Sequence, residues 1–158
     1  MPAFKSMKEL CATLQTKVNL ALKNDVTDAV RETEQIKADE LVYSVYTPSW
    51  YDRTGALVAD DSIIGTILDE DSGVLSVDNI SEFSQNPPSA NAGWGLAGLV
   101  EYGDGWNGHH YEHLNRDGDN PFTEPRPFID ETREELSDGR IVKAALKNGL
   151  RKGGLNVK

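Results

Sequence analysis

The strongest constraint on this chain is the run from Ser6 to Glu40, about thirty-five residues without a proline or a glycine and with helical periodicity. Met7, Leu10, Leu14, Val18, Ala21, Leu22, Val26, Ala29 and Val30 recur at spacings of three and four. Ser6 supplies an N-cap, and Glu9 three residues on completes a capping box. A continuous helix here is roughly 50 Å long at 1.5 Å per residue, longer than a domain of this size can cover. Part of its apolar stripe is therefore expected to meet something outside the subunit. Two helices broken near Asn24-Asp25 would remove that need.

Past Glu40 the pattern changes. Leu41 to Thr47 alternates, as either a last helical turn or an entering strand, and Pro48 ends any helix before it. Trp50 and Tyr51 bring aromatic area suited to a core or an interface. Thr54-Gly55 marks a turn, after which Leu57, Ile63, Ile64 and Ile67 predict a strand with one buried face. Asp69 to Gly73 is a polar loop, and Val74-Leu75-Ser76-Val77 returns from it as the second arm of a hairpin. Ser81 to Gly95 has the composition of a surface loop. Leu96 to Tyr102 is an apolar strand or short helix, closed by a tight turn at Gly103-Asp104-Gly105. Asp130 to Leu136 predicts a helix with an acid-rich first turn. Ile141, Val142, Ala145, Leu146 and Leu150 define an amphipathic C-terminal helix stopped by Gly153-Gly154. The fold class expected is α+β: a long N-terminal helix and a C-terminal helix packed on a small antiparallel β-sheet. At 158 residues the chain fits a single domain, 1–158, with a loop insertion at about 106–124.

Charge and composition narrow the function. The net charge is −10, yet the last nineteen residues carry six cations and no acid, so the remainder holds −16. An acidic body repels nucleic acid and argues against a sequence-specific DNA binder. The basic tail suits an acidic neighbour, such as another copy of the chain, or a solvated helix end. No apolar run approaches the ~18 residues of a membrane span, and no signal peptide is expected at the N-terminus. The single cysteine, Cys11, excludes an intrachain disulfide and is expected to be a small buried or interfacial filler.

The histidine-rich stretch could bind metal. His109, His110, Glu112 and His113 offer zinc-ligating side chains, but not at the His-Glu-x-x-His spacing that places two ligands on one helical face. Asn115 to Asn120 opens like a calcium loop, but Asn120 stands where glycine is needed and Arg126 where a bidentate glutamate is needed. The acids of Asp69 to Asp71 read as solvated turn residues. No cofactor is expected, and no nucleophile–base pair or phosphate loop stands out.

In order along the chain, the long helix, Arg53-Thr54-Gly55-x-Leu57 with Ser62-Ile63, Val100-Glu101-Tyr102-Gly103, Pro127-Phe128 and the C-terminal helix form a set. That set resembles the small neck proteins of long-tailed bacteriophages, the tail-completion, head–tail connector or minor tail component type. The resemblance covers most of the chain. Asp60-Asp61 before Ser62 and the insertion from Trp106 to Glu124 depart from the compact pattern of that family. It implies a non-enzymatic virion protein of the head–tail junction, made in the host cytoplasm. It implies a closed homo-oligomeric ring of about six copies joining head-completion proteins to the tail terminator. DNA would pass through the ring without sequence-specific binding. Arg53, Thr54, Gly55, Leu57, Glu101, Tyr102, Gly103, Pro127 and Phe128 are the residues expected to hold the fold or the assembly. The rival expectations are a metal-binding hydrolase built on His109 to His113 and a non-virion cytoplasmic interaction module.

Overall fold

A computed structural model describes residues 6–45, 54–82, 95–103 and 124–157. The chain is helical from Met7 to Tyr43: α1 (Met7–Ala21), a π turn (Leu22–Val26), α2 (Thr27–Ala38) and a second π turn (Asp39–Tyr43). Ser6 caps it as its spacing predicts, its hydroxyl accepting from the Glu9 N–H at 3.2 Å. The continuous helix expected from the spacing is found, and the alternative break at Asn24-Asp25 falls inside the first π turn, where the helix widens instead of breaking. Thr27 donates its hydroxyl to the Leu22 carbonyl at 3.2 Å, occupying an acceptor that the regular ladder would use. The open choice at Leu41 also resolves as helix, since Leu41, Val42 and Tyr43 complete the second π turn. Among the described residues no helix is long and apolar enough to cross a membrane.

β1 (Ile63–Asp69) and β2 (Val74–Asn79) pair as a two-stranded sheet. The turn between them needs Gly73, whose φ of +66° lies in the left-handed region. The Asp69 carboxylate accepts from the N–H groups of Asp71 and Ser72, at 2.9 and 3.1 Å. Bonding to Ser72 and Asp71 holds its pKa below the usual carboxylate range. This is an aspartate stapling its own turn. The architecture is α+β, with a long N-terminal helix, C-terminal helices and a small antiparallel sheet.

The described residues group into two compact units. The first comprises residues 6–31, 65–78 and 136–157. Here α5 (Arg140–Lys152) lies against α1 and the first π turn. Gly149 is a point of close approach: a Cβ there would sit 2.7 Å from the Ala21 Cβ and 2.5 Å from an Asp25 carboxylate oxygen. The end of α5 is fastened by Lys17, whose ammonium reaches the Gly153 carbonyl at 2.5 Å, and by Lys152, paired with Asp25 at 2.5 Å. On the hairpin side, Gln15 and Asn19 both donate to the Glu70 carbonyl, at 2.7 and 2.9 Å. Gly149→Ala gains ~1 kcal/mol of helix propensity but overpacks two rigid neighbours, for a net loss of about 1–2 kcal/mol by urea unfolding. A Gly149→Ala variant as stable as wild type would show that the two helices are free to separate.

The second unit comprises residues 32–64, 79–103 and 124–135 among those described. Its core joins Ala38 and Val42 to Leu57, to Ala97 and Val100 of α3 (Leu96–Tyr102), and to Phe128 of α4 (Phe128–Leu136). Leu57 is in a 3₁₀ turn (Ala56–Val58), not in the strand expected for it, because Gly55 turns the backbone left-handed just before it. α4 starts two residues earlier than expected, at Phe128. Pro127 has no N–H to lose at a helix start, which favours that boundary.

Candidate functional site

Of the nine expected fold-or-assembly residues, Leu57, Glu101, Gly103 and Phe128 are buried in this second unit. Its centre is Glu101, a charged residue on an apolar helix and only 2% exposed. Its two carboxylate oxygens accept from the N–H groups of Ile129 and Asp130, at 2.8 and 3.0 Å. Those are first-turn donors of α4, which no intrahelical carbonyl can reach. The residue before α4 is Pro127, whose side chain has no oxygen to serve as a cap. Glu101 therefore performs that task from α3, and the negative charge also complements the positive end of the helix. Burial pushes the Glu101 pKa above its ordinary value, while the two backbone hydrogen bonds pull the other way.

The neighbouring residues set this geometry. Gly103 leaves α3 at φ +67°, ψ −153°, a region essentially restricted to glycine, with its N–H bonded to the Leu99 carbonyl at 3.0 Å. The returning chain is pinned by the Arg126 N–H on the Val100 carbonyl at 2.9 Å. Pro127 gives its carbonyl to the Glu131 N–H at 3.0 Å, and Phe128 is fully buried. Glu101 and Gly103 on one side and Pro127-Phe128 on the other, far apart in sequence, thus form one device. Leu57 joins it through the shared core. Thr54 and Tyr102 are exposed and stand outside it. Gly55, at φ +72°, has open space where a Cβ would point, so its backbone conformation and not crowding calls for glycine. Arg53 lies outside the described residues, as do Trp50, Tyr51 and the whole candidate metal stretch His109, His110, Glu112 and His113. Among the described residues no group of three or more His, Cys, Asp or Glu could hold a metal ion.

Sequence reasoning missed a second polar knot in the same unit. Glu34 is buried and accepts from the Asn79 amide at 2.7 Å. The same amide donates to the Leu57 carbonyl at 3.0 Å, and the Asn79 side-chain oxygen accepts from the Ser81 N–H at 3.1 Å. Gln35 adds a bond to the Val58 carbonyl at 2.7 Å. The signal was present: Glu34 continues the four-residue spacing of Val26 and Val30, so an acid stood on the apolar stripe and needed a partner.

Surface features complete the picture. Met7 is 73% exposed, Leu20 57% and Ile36 50%, so the long helix keeps apolar area uncovered. Cys11 is exposed, not buried as one of its two expected roles required, because the first turns of α1 extend beyond the residues that cover Ala21.

Comparison with known proteins places the chain. It is 34% identical over 137 residues to the SPbeta prophage-derived uncharacterized protein YomN of Bacillus subtilis (strain 168), covering 85% of this chain and 82% of that one. No solved structure matches it. The chain thus has a relative of phage origin. The YomN family model matches residues 6–152, from the cap of the long helix to the last residue of α5, and on that span the chain belongs to the YomN family.

Proposed function

We propose that this chain is a structural virion protein of a phage head–tail junction. It forms a homo-oligomeric ring that joins the head-completion proteins to the tail terminator and surrounds the DNA channel. The observation that carries this reading is the long helix. It leaves Met7, Leu20 and Ile36 half or more exposed, apolar area that sibling copies would cover. A prophage-derived relative matched over most of both chains supports the phage setting. On this reading Glu101, Gly103, Pro127 and Phe128 act by holding a rigid core, and no catalytic step is assigned to the chain. The acidic body would let the DNA backbone pass without adhering.

Mass spectrometry of purified particles tests the reading. The chain is expected in tailed virions at about six copies, the number of a closed ring. Its absence from particles, or a stable monomer in solution that never joins them, overturns the proposal in favour of a non-virion interaction module.

A further inference from the structure

α5 divides its surface by charge. Ile141, Val142, Ala145, Leu146, Gly149 and Leu150 form its covered side, within the first unit. Arg140, Lys143, Ala144, Lys147 and Arg151 are all exposed and fall within about 100° of the helix circumference. This cationic face is poorly neutralised. Arg140 pairs with Asp138, but Arg151 spends its guanidinium on the Val157 carbonyl, at 3.1 Å. Lys143 and Lys147 are in no ion pair among the described residues. Like charges three and four residues apart repel along a helix, so the face gains from an anionic partner.

A matching face exists on the long helix. Glu32 and Asp39 are exposed, seven residues and about 10 Å apart, and flank the half-exposed Ile36. Neither acid is in an ion pair among the described residues. The nearby cation, Lys37, is directed to Glu40 at 3.5 Å and Glu135 at 3.8 Å. Arg140 and Lys147 are also seven residues apart, and they flank the small exposed Ala144. The two faces share a pitch, carry opposite charge, and set an aliphatic side chain against a small one.

We propose that the basic face of α5 in one copy seats against Glu32, Ile36 and Asp39 of the next copy. The two surfaces differ, so the contact is head-to-tail and closes by rotation. It rests on the ring reading above and specifies what one subunit presents to its neighbour. Charge argues for a protein partner over DNA: a duplex brings one negative charge per ~1.7 Å but must approach a body of net −15 outside this helix. DNA also offers nothing to the apolar Ile36.

The test is charge reversal and exchange, followed by light scattering and sedimentation. Lys143→Glu/Lys147→Glu and Glu32→Lys/Asp39→Lys each weaken self-association of the full chain at least about tenfold at low salt. Each keeps its circular dichroism spectrum, since the altered side chains are exposed. Mixing the two variants equally restores assembly, because every α5 then meets a long helix of opposite sign. Wild-type association weakens as ionic strength approaches about 1 M, where the Debye length is ~3 Å. Rings that form undiminished in both variants, or variants that stay apart when mixed, overturn this inference and leave the ring reading standing. Short duplex DNA bound by wild type and lost in Lys143→Glu/Lys147→Glu, with assembly unchanged, also overturns it in favour of a phosphate-backbone site. A wild-type chain that stays monomeric at every concentration defeats both.

Discussion

Glu101→Ala lowers the free energy of unfolding by about 3 kcal/mol. Two first-turn donors of α4, the N–H groups of Ile129 and Asp130, lose their acceptors at about 1–3 kcal/mol each. Relief from burying a carboxylate returns part of that loss. In a chain of this length the change corresponds to a fall of about 6–12 °C in Tm. Glu101→Gln keeps the volume and one acceptor while turning an amide N–H₂ toward the other donor, so it loses about half as much by the same count. Urea unfolding followed by circular dichroism measures both. A Glu101→Ala change within ~0.5 kcal/mol of wild type would show that α4 does not depend on this cap.

The pH dependence adds a second readout at the same residue. Burial raises the folded-state pKa of Glu101 above its ordinary 4.5, so the folded chain holds this proton more tightly than the unfolded one. The resulting stability is complete below 4.5 and is lost as pH rises through the raised value. Asp69 and Asp138 act in the opposite sense. Hydrogen bonds to Ser72 and Arg140 lower their pKa values, so what they contribute is present above 3.8 and lost as pH falls. Subtracting Glu101→Gln from wild type cancels those two groups. The stability gap between wild type and Glu101→Gln narrows as pH rises from below 4.5 to neutrality. A gap that widens instead would mean that the two backbone donors outweigh burial.

Periodicity carried much of the fold because it acts over long stretches. The helix from Ser6 onward, the hairpin around Asp69 to Gly73, and α5 with its glycine stop were all legible from spacing, capping and turn residues. The π turns were not. A stripe at spacings of three and four is compatible with one extra residue per turn, and only tertiary contacts select where it enters. The core device was half legible. Glu101, Gly103, Pro127 and Phe128 stood out as phrases, but nothing local says that a glutamate on α3 caps a helix nearly thirty residues later. Leu57 was read as strand because an apolar residue before Ile63 fits either pattern, and the sign of φ at Gly55 decides it. Cys11 was legible only as a pair of roles, buried or interfacial. Its exposure removes the first, because phase gives the face and not whether anything lies against it.

Gly65, unremarked in the sequence, is the strand position least tolerant of a side chain. In β1 a Cβ at this residue would sit 2.8 Å from Thr27 Cγ2 and 2.9 Å from its Cβ, and closer still to its hydroxyl oxygen. Thr27 cannot yield. It is buried, its β-branched side chain is stiff at χ1, and its hydroxyl is committed to the Leu22 carbonyl of the π turn. Gly65→Ala therefore costs about 3 kcal/mol of overpacking, reduced by at most ~1 kcal/mol because alanine loses less backbone entropy than glycine in a strand. Thr27→Ala alone costs ~1 kcal/mol for a lost hydroxyl bond and a small void. With both changes the clashes with the Thr27 hydroxyl and Cγ2 disappear, but the alanine Cβ at 27 stays 2.9 Å from the new methyl, so the double variant recovers only part of the Gly65→Ala loss. The double-mutant cycle should then give a coupling of about 1 kcal/mol, within the range for residues in direct contact. A coupling near zero would place the two residues apart. It would also remove the reason for a glycine in β1, since a threonine that does not press on the strand leaves room there for any side chain.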